Sequence, residues 1–176
     1  MLAAGIVVLA VTTAGACSDR QEPGVPTAAG STVTSSPSRP AVLPLDAIMP
    51  CELMTDTMRK QFAIDRPDAP SATDPNAPVC TFISSSAGGY VVAAVRDKGV
   101  QALGRPVTTT VSGFPAVEIR RPNIKVGHLS IDVADGQRLD IEVQRLSSEQ
   151  PVDEIYRDTM RFAEAVLATL RQKLGR

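Results

Sequence analysis

His128-Leu129-Ser130-Ile131-Asp132-Val133-Ala134-Asp135-Gly136-Gln137-Arg138-Leu139-Asp140-Ile141-Glu142-Val143-Gln144-Arg145 is the stretch from which the fold is read. Leu129, Ile131 and Val133, then Leu139, Ile141 and Val143, alternate with polar residues, the period of strands that bury one face. The dipeptide Asp135-Gly136 between them marks a hairpin. A two-residue turn would set Ile131 opposite Asp140 and place the apolar sets on opposite faces. A three-residue loop, Ala134-Asp135-Gly136 with Gly136 left-handed, keeps them together. The expected strands are His128–Val133 and Arg138–Arg145, with the odd-numbered face buried.

C-terminal to this hairpin the period changes. Val152, Ile155, Tyr156, Ala163, Val166, Leu167, Leu170 and Leu174 form a helical stripe from about Pro151 to about Leu174. Asp153 and Glu154 at its start and Arg171, Lys173 and Arg176 at its end suit the helix dipole. Upstream, Val79–Ser84 and Tyr90–Val95 flank Ala87-Gly88-Gly89, read as a hairpin turn, and Val107–Val111 pairs with Ala116–Arg120 across Ser112-Gly113-Phe114-Pro115. Asp65–Pro78 is proline-rich and reads as loop, preceded by a short helix with Leu53, Met54, Met58 and Phe62 on its inner face. Together these predict an α+β domain at 44–176, an antiparallel sheet packed against a long C-terminal helix and a short N-terminal one.

At the other end, Leu2–Cys17 is an apolar run closing in Ala14-Gly15-Ala16-Cys17. It is shorter than the roughly 20 residues a spanning helix needs and suits the h-region of a signal peptide, although no Lys or Arg precedes it. Cleavage before Cys17 would expose a thiol for lipidation, so residues 1–16 are expected as signal peptide and Cys17 as the acylated residue. Ala14 departs from the Leu, Val or Ile usual there. Residues 17–43 are rich in Pro, Gly, Ser, Thr and Ala, without apolar periodicity, and read as a disordered tether with a reach on the order of 30 Å. The expected location of the domain is therefore the outer face of the cell membrane, held there by the lipid.

With Cys17 acylated, Cys51 and Cys80 remain, and in an oxidising compartment they read as a disulfide. Closing that loop would restrict the unfolded chain by roughly 3.5 kcal/mol in the chain-entropy model. The cysteines and the single histidine, His128, offer too few ligands for a metal, and no cofactor motif is present. A net charge of −1 with no tryptophan argues against a nucleic-acid partner. The basic cluster Arg120, Arg121 and Lys125 reads as a solvated loop rather than a lipid-head-group site. His128, Asp132, Asp140 and Glu142 share a face and could form a catalytic or metal patch, but opposite charges are ordinary across a solvated sheet. There is no Gly-x-Ser-x-Gly elbow.

Pro50-Cys51-Glu52-Leu53-Met54-Thr55, Cys80 ahead of an aromatic, Gly113-Phe114-Pro115-Ala116, Val133-Ala134-Asp135-Gly136-Gln137, then Phe162-Ala163 and Val166-Leu167 occur in that order. This series resembles the actinobacterial lipoproteins grouped as domain of unknown function 3558, over about Leu45 to Leu174. The resemblance implies a lipobox, a tether, a possible PsbP-like fold and often a second cysteine pair, and it brings no catalytic residues. That pair would fall near Gly127 and Tyr156, and this chain lacks it. The Tyr156 ring is then expected to lie over the Cα of Gly127. The expected function is a non-enzymatic envelope lipoprotein that binds a protein, cell-wall or lipid partner. The alternative is a small extracytoplasmic hydrolase or lipid-handling protein.

Overall fold

The computed structural model describes residues 38–71, 74–96, 105–121, 124–145 and 149–176. A 3-10 turn (Pro50–Leu53) and α1 (Asp56–Gln61) precede β1 (Ala69–Ser71), β2 (Val79–Ser84), β3 (Gly88–Val95), β4 (Arg105–Val111), β5 (Phe114–Arg120), β6 (Val126–Ala134) and β7 (Gln137–Arg145). The element order ends with α2 (Val152–Lys173). The strands make one antiparallel sheet in the order β1-β2-β3-β7-β6-β5-β4. With α2 packed on β6 and β7, the fold is α+β, as the alternation of periods predicts.

The β6–β7 hairpin keeps the expected parity by a different device. Leu129 pairs with Ile141 and Ile131 with Leu139, so both apolar sets share a face. The loop is nevertheless the two-residue Asp135-Gly136 turn, closed by Ala134 opposite Gln137, with Gly136 left-handed at φ 71°. An irregularity between Asp132 and Ala134 absorbs the extra residue, and the bulge does what the predicted three-residue loop was to do. Val133 and Ala134 are both buried at the kink.

Other turns are tighter than the sequence suggested. Ser112 and Gly113, at φ 49° and 85°, form the whole β4–β5 connection, so Phe114 and Pro115 belong to β5. Gly88 and Gly89 lie in β3 rather than in the turn, which is Ser85-Ser86-Ala87. Within the expected loop Asp65–Pro78, Ala69–Ser71 adds an edge strand to β2, where Pro70 has no inner ladder to disrupt. The predicted N-terminal helix is split: Met54 is extended, and Thr55 then caps α1 by accepting from the Met58 N–H at 3.2 Å.

The buried face carries Cys80 and Phe82 of β2, Tyr90 and Val92 of β3, Phe114 and Ala116 of β5, Leu129, Ile131 and Val133 of β6, and Leu139, Ile141 and Val143 of β7. From α2 it receives Ile155, Phe162, Ala163, Val166, Leu167 and Leu170. Phe162 meets Phe62 edge-on at 5.0 Å and Tyr90 at 4.9 Å, joining α1, β3 and α2 in one aromatic cluster. Burying a side chain of that kind contributes about 1.5–3 kcal/mol. The Cys51–Cys80 disulfide fastens the 3-10 turn to β2.

Packing reaches N-terminal to the boundary expected at residue 44. Leu43 and Leu45 are fully buried, and the Leu43 N–H donates to Val133 O at 2.8 Å. Arg96 donates to Leu45 O and Ile48 O, and Arg39 bridges Asp132 and Asp135 at the hairpin end.

Candidate functional site

A cavity of about 240 Å³ opens between the end of α1, the β2–β3 turn, the end of β7 and α2. Its lining is Gln61, Phe62, Ala63, Ala87, Tyr90, Arg145, Asp158 and Arg161. Parity brings Arg145 here. It shares the odd face of Leu139, Ile141 and Val143, so the last residue of β7 turns a guanidinium inward. Asp158 stands on the buried side of α2, one turn after Ile155 and one before Phe162, and meets it.

Their side chains are 9% and 8% exposed, so each charge needs the other. Arg145 Nη1 also donates to the Tyr90 hydroxyl at 2.7 Å and to Ala87 O at 3.2 Å, while its carbon lies 5.2 Å from the Tyr90 ring centroid. Arg145 Nε is buried without an acceptor among the described residues. Arg161, from the next turn of α2, donates to the second Asp158 oxygen. Burial pushes the Asp158 carboxyl up, but the bonds from Arg161 and Arg145 outweigh it and hold its pKa below 3.8.

On the opposite face the structure reorganises the expected acidic patch. His128 does lie across from Glu142. Asp140, however, accepts from Ser130 Oγ at 2.7 Å and from Arg138 Nε at 3.1 Å, and Asp132 is turned to Arg39. Among the described residues no three His, Cys, Asp or Glu side chains gather as a metal site requires. Both His128 ring nitrogens are buried without hydrogen-bond partners among the described residues. Burial lowers its pKa below 6.5 against the upward pull of Asp140 and Glu142, with Arg121 and Arg138 adding to the lowering.

An acid profile in two steps follows. The folded state resists protonating His128, so stability falls as pH drops below the unfolded value of 6.5 towards the folded one. Asp158 has the depressed carboxylate's sign: its contribution is present above 3.8 and lost as pH falls through its folded pKa. Urea midpoints between about pH 7 and pH 5 should therefore decline, and His128→Gln should flatten that part of the curve. An unchanged slope in the variant would remove His128 as its cause.

The expectation for Gly127 and Tyr156 is half corrected. Gly127 does face α2, but a Cβ there would lie 2.0 Å from Thr159 Oγ1 and 3.2 Å from Ile155 O, so Thr159 and not Tyr156 covers it. Ile155 and Thr159 are one helical turn apart and point to one spot, whereas Tyr156 is about 100° around the axis, towards β5. Its ring is buried under the Arg120 guanidinium, with its hydroxyl 3.5 Å from Ile119 O.

Sequence reasoning brought Cys51 and Cys80 together and missed Arg145, Asp158 and Arg161. The signal was present, because Arg145 extends an odd-numbered apolar series and Asp158 interrupts the buried stripe at a core position. Cys17 and the run before it lie outside the described residues; among those residues no helix is long and apolar enough to cross a membrane. A family model described as a protein of unknown function (DUF3558) matches residues 12–169. No curated protein and no solved structure matches the chain.

Proposed function

We propose, for a chain that belongs to the DUF3558 family of proteins of unknown function, that it is a lipid-anchored domain of the cell envelope that binds a ligand without converting it. In this reading residues 1–16 are removed, Cys17 carries the lipid, the chain from there to the segment that packs from Arg39 onward is the tether, and the domain that follows binds outside the membrane. The observation that carries the binding function is the composition of the cavity. It offers guanidinium, carboxylate, phenol and amide groups over an apolar floor, and its lining has no serine, cysteine or histidine to serve as nucleophile or base. The location rests on the apolar run ending in Ala14-Gly15-Ala16-Cys17, and the family match reaches back to residue 12 and so includes Cys17.

Cys17→Ala is expected to move the protein from the membrane fraction to the soluble one and to abolish incorporation of radioactive palmitate. A variant that stays membrane-bound with its label intact would refute the anchor. Proximity labelling from the full-length chain in cells should mark envelope components, and marking confined to cytoplasmic proteins would contradict the location.

A further inference from the structure

We infer that the cavity between α1, the β2–β3 turn, β7 and α2 is a binding site for a carboxylate carried on a small apolar body. This rests on the binding reading above and names its ligand chemistry. The charges come first. Arg145 and Arg161 flank the single carboxylate of Asp158, leaving a surplus of one positive charge in the lining. That surplus matches a monoanion, whereas a dianion would bring a second negative charge against Asp158.

The donors come next. The Tyr90 hydroxyl accepts from Arg145 and so keeps its own proton for an acceptor in the cavity. Arg161, 66% exposed, is bonded through Nη2 to Asp158, which leaves its other N–H groups for a ligand of the cavity that Gln61 also lines. The buried Arg145 Nε–H has no acceptor among the described residues, so this guanidinium is not fully satisfied by the groups around it. Guanidinium groups recognise carboxylates through paired N–H bonds, which a lone lysine ammonium would not supply.

The shape sets the rest of the ligand. Phe62 and Tyr90 stand 5.6 Å apart between ring centroids, and the methyls of Ala63 and Ala87 complete the apolar part of the lining. Ala63 holds φ 53°, a left-handed position after α1 where glycine is usual, so strain is accepted where its methyl lines the cavity. At about 240 Å³ the space is below the roughly 300–1,000 Å³ of drug-sized ligand sites, and it suits one amino-acid residue or one sugar ring. The same chemistry is offered by a peptide's C-terminal residue and by a sugar acid.

The test is calorimetric titration of the detergent-solubilised full-length chain at fixed salt. The probes are N-acetyl-alanyl-alanine, its C-terminal amide, N-acetylmuramic acid and inorganic phosphate. At least one of the two acids should bind, the dipeptide identifying a peptide end and the sugar acid a saccharide; a binding dipeptide should exceed its amide at least tenfold. Arg161→Gln should weaken the bound acid by roughly tenfold in a chain that still unfolds cooperatively, because Arg145 continues to pair with Asp158. Ala87→Leu, which fills the cavity from the turn, should abolish binding in a chain that still unfolds cooperatively.

Binding of neither acid, equal affinity for dipeptide and amide, phosphate tighter than both acids, or full affinity in Arg161→Gln would each overturn the inference. These failures are separable from failure of the proposed function. Titration of purified protein does not depend on the anchor, fractionation of Cys17→Ala does not depend on the cavity, and release of ammonia from the amide would refute the non-catalytic reading alone.

Discussion

Replacing Gly88 with alanine is expected to lower the unfolding free energy by about 4 kcal/mol or more, in the range reserved for backbone and core disruption. Gly88 opens β3 at φ 126°, a conformation that side-chain-bearing residues rarely adopt. A Cβ there would also stand 2.1 Å from the Gln144 carbonyl oxygen and 3.1 Å from the Arg145 Cα. Both neighbours are backbone, so no rotamer change relieves the contact, and the end of the β3–β7 ladder must open where Gly88 pairs with Arg145. Gly89 supplies the control. Its added Cβ would meet nothing within 4 Å, and Gly89→Ala should stay within about 0.5 kcal/mol of the parent or stabilise it slightly. Denaturant titration of the two variants decides the matter: equal midpoints would show that strand β3 starts in some other conformation.

The second large effect is expected at Asp158. Asp158→Asn should cost about 3–5 kcal/mol, because it leaves the Arg145 guanidinium buried beside a neutral amide. Tyr90 and Ala87 continue to accept from Arg145, but neither carries charge. The cost belongs to the orphaned cation and not to the strength of the bridge. The double variant Arg145→Met with Asp158→Leu should accordingly recover most of the loss, since an apolar pair of similar volume is often as stable as a buried ion pair. A single variant within 0.5 kcal/mol of the parent, or a double variant no better than the single one, would show that Arg145 finds its compensation elsewhere.

The two expectations read most differently from sequence. Gly88 was visible as a glycine between strand-like runs, and assigned to a turn, because nothing local reveals that the Gln144 carbonyl of a strand 56 residues later occupies its Cβ position. Asp158 was visible only as a polar residue inside a helical stripe. Its partner is set by the order of the strands, which places the end of β7 under the second turn of α2.

Local physics determined the elements themselves. Alternation in Leu129–Val143 fixed two strands and their inward face, the 3.6-residue stripe fixed the terminal helix, and two cysteines in one domain fixed the disulfide. Each of these depends on spacing along the chain, which the sequence contains in full. Tertiary structure alone decided how parity was kept at the hairpin, by a bulge in place of a longer loop, since either device satisfies the same pattern. It also decided that Thr159 and not Tyr156 covers Gly127, because a rotation of about 100° per residue is resolved only by the docking angle of α2 on the sheet. And it made the cavity, whose guanidinium, carboxylate and phenol come from β7, α2 and β3, and converge only when the sheet has formed and the helix has packed upon it.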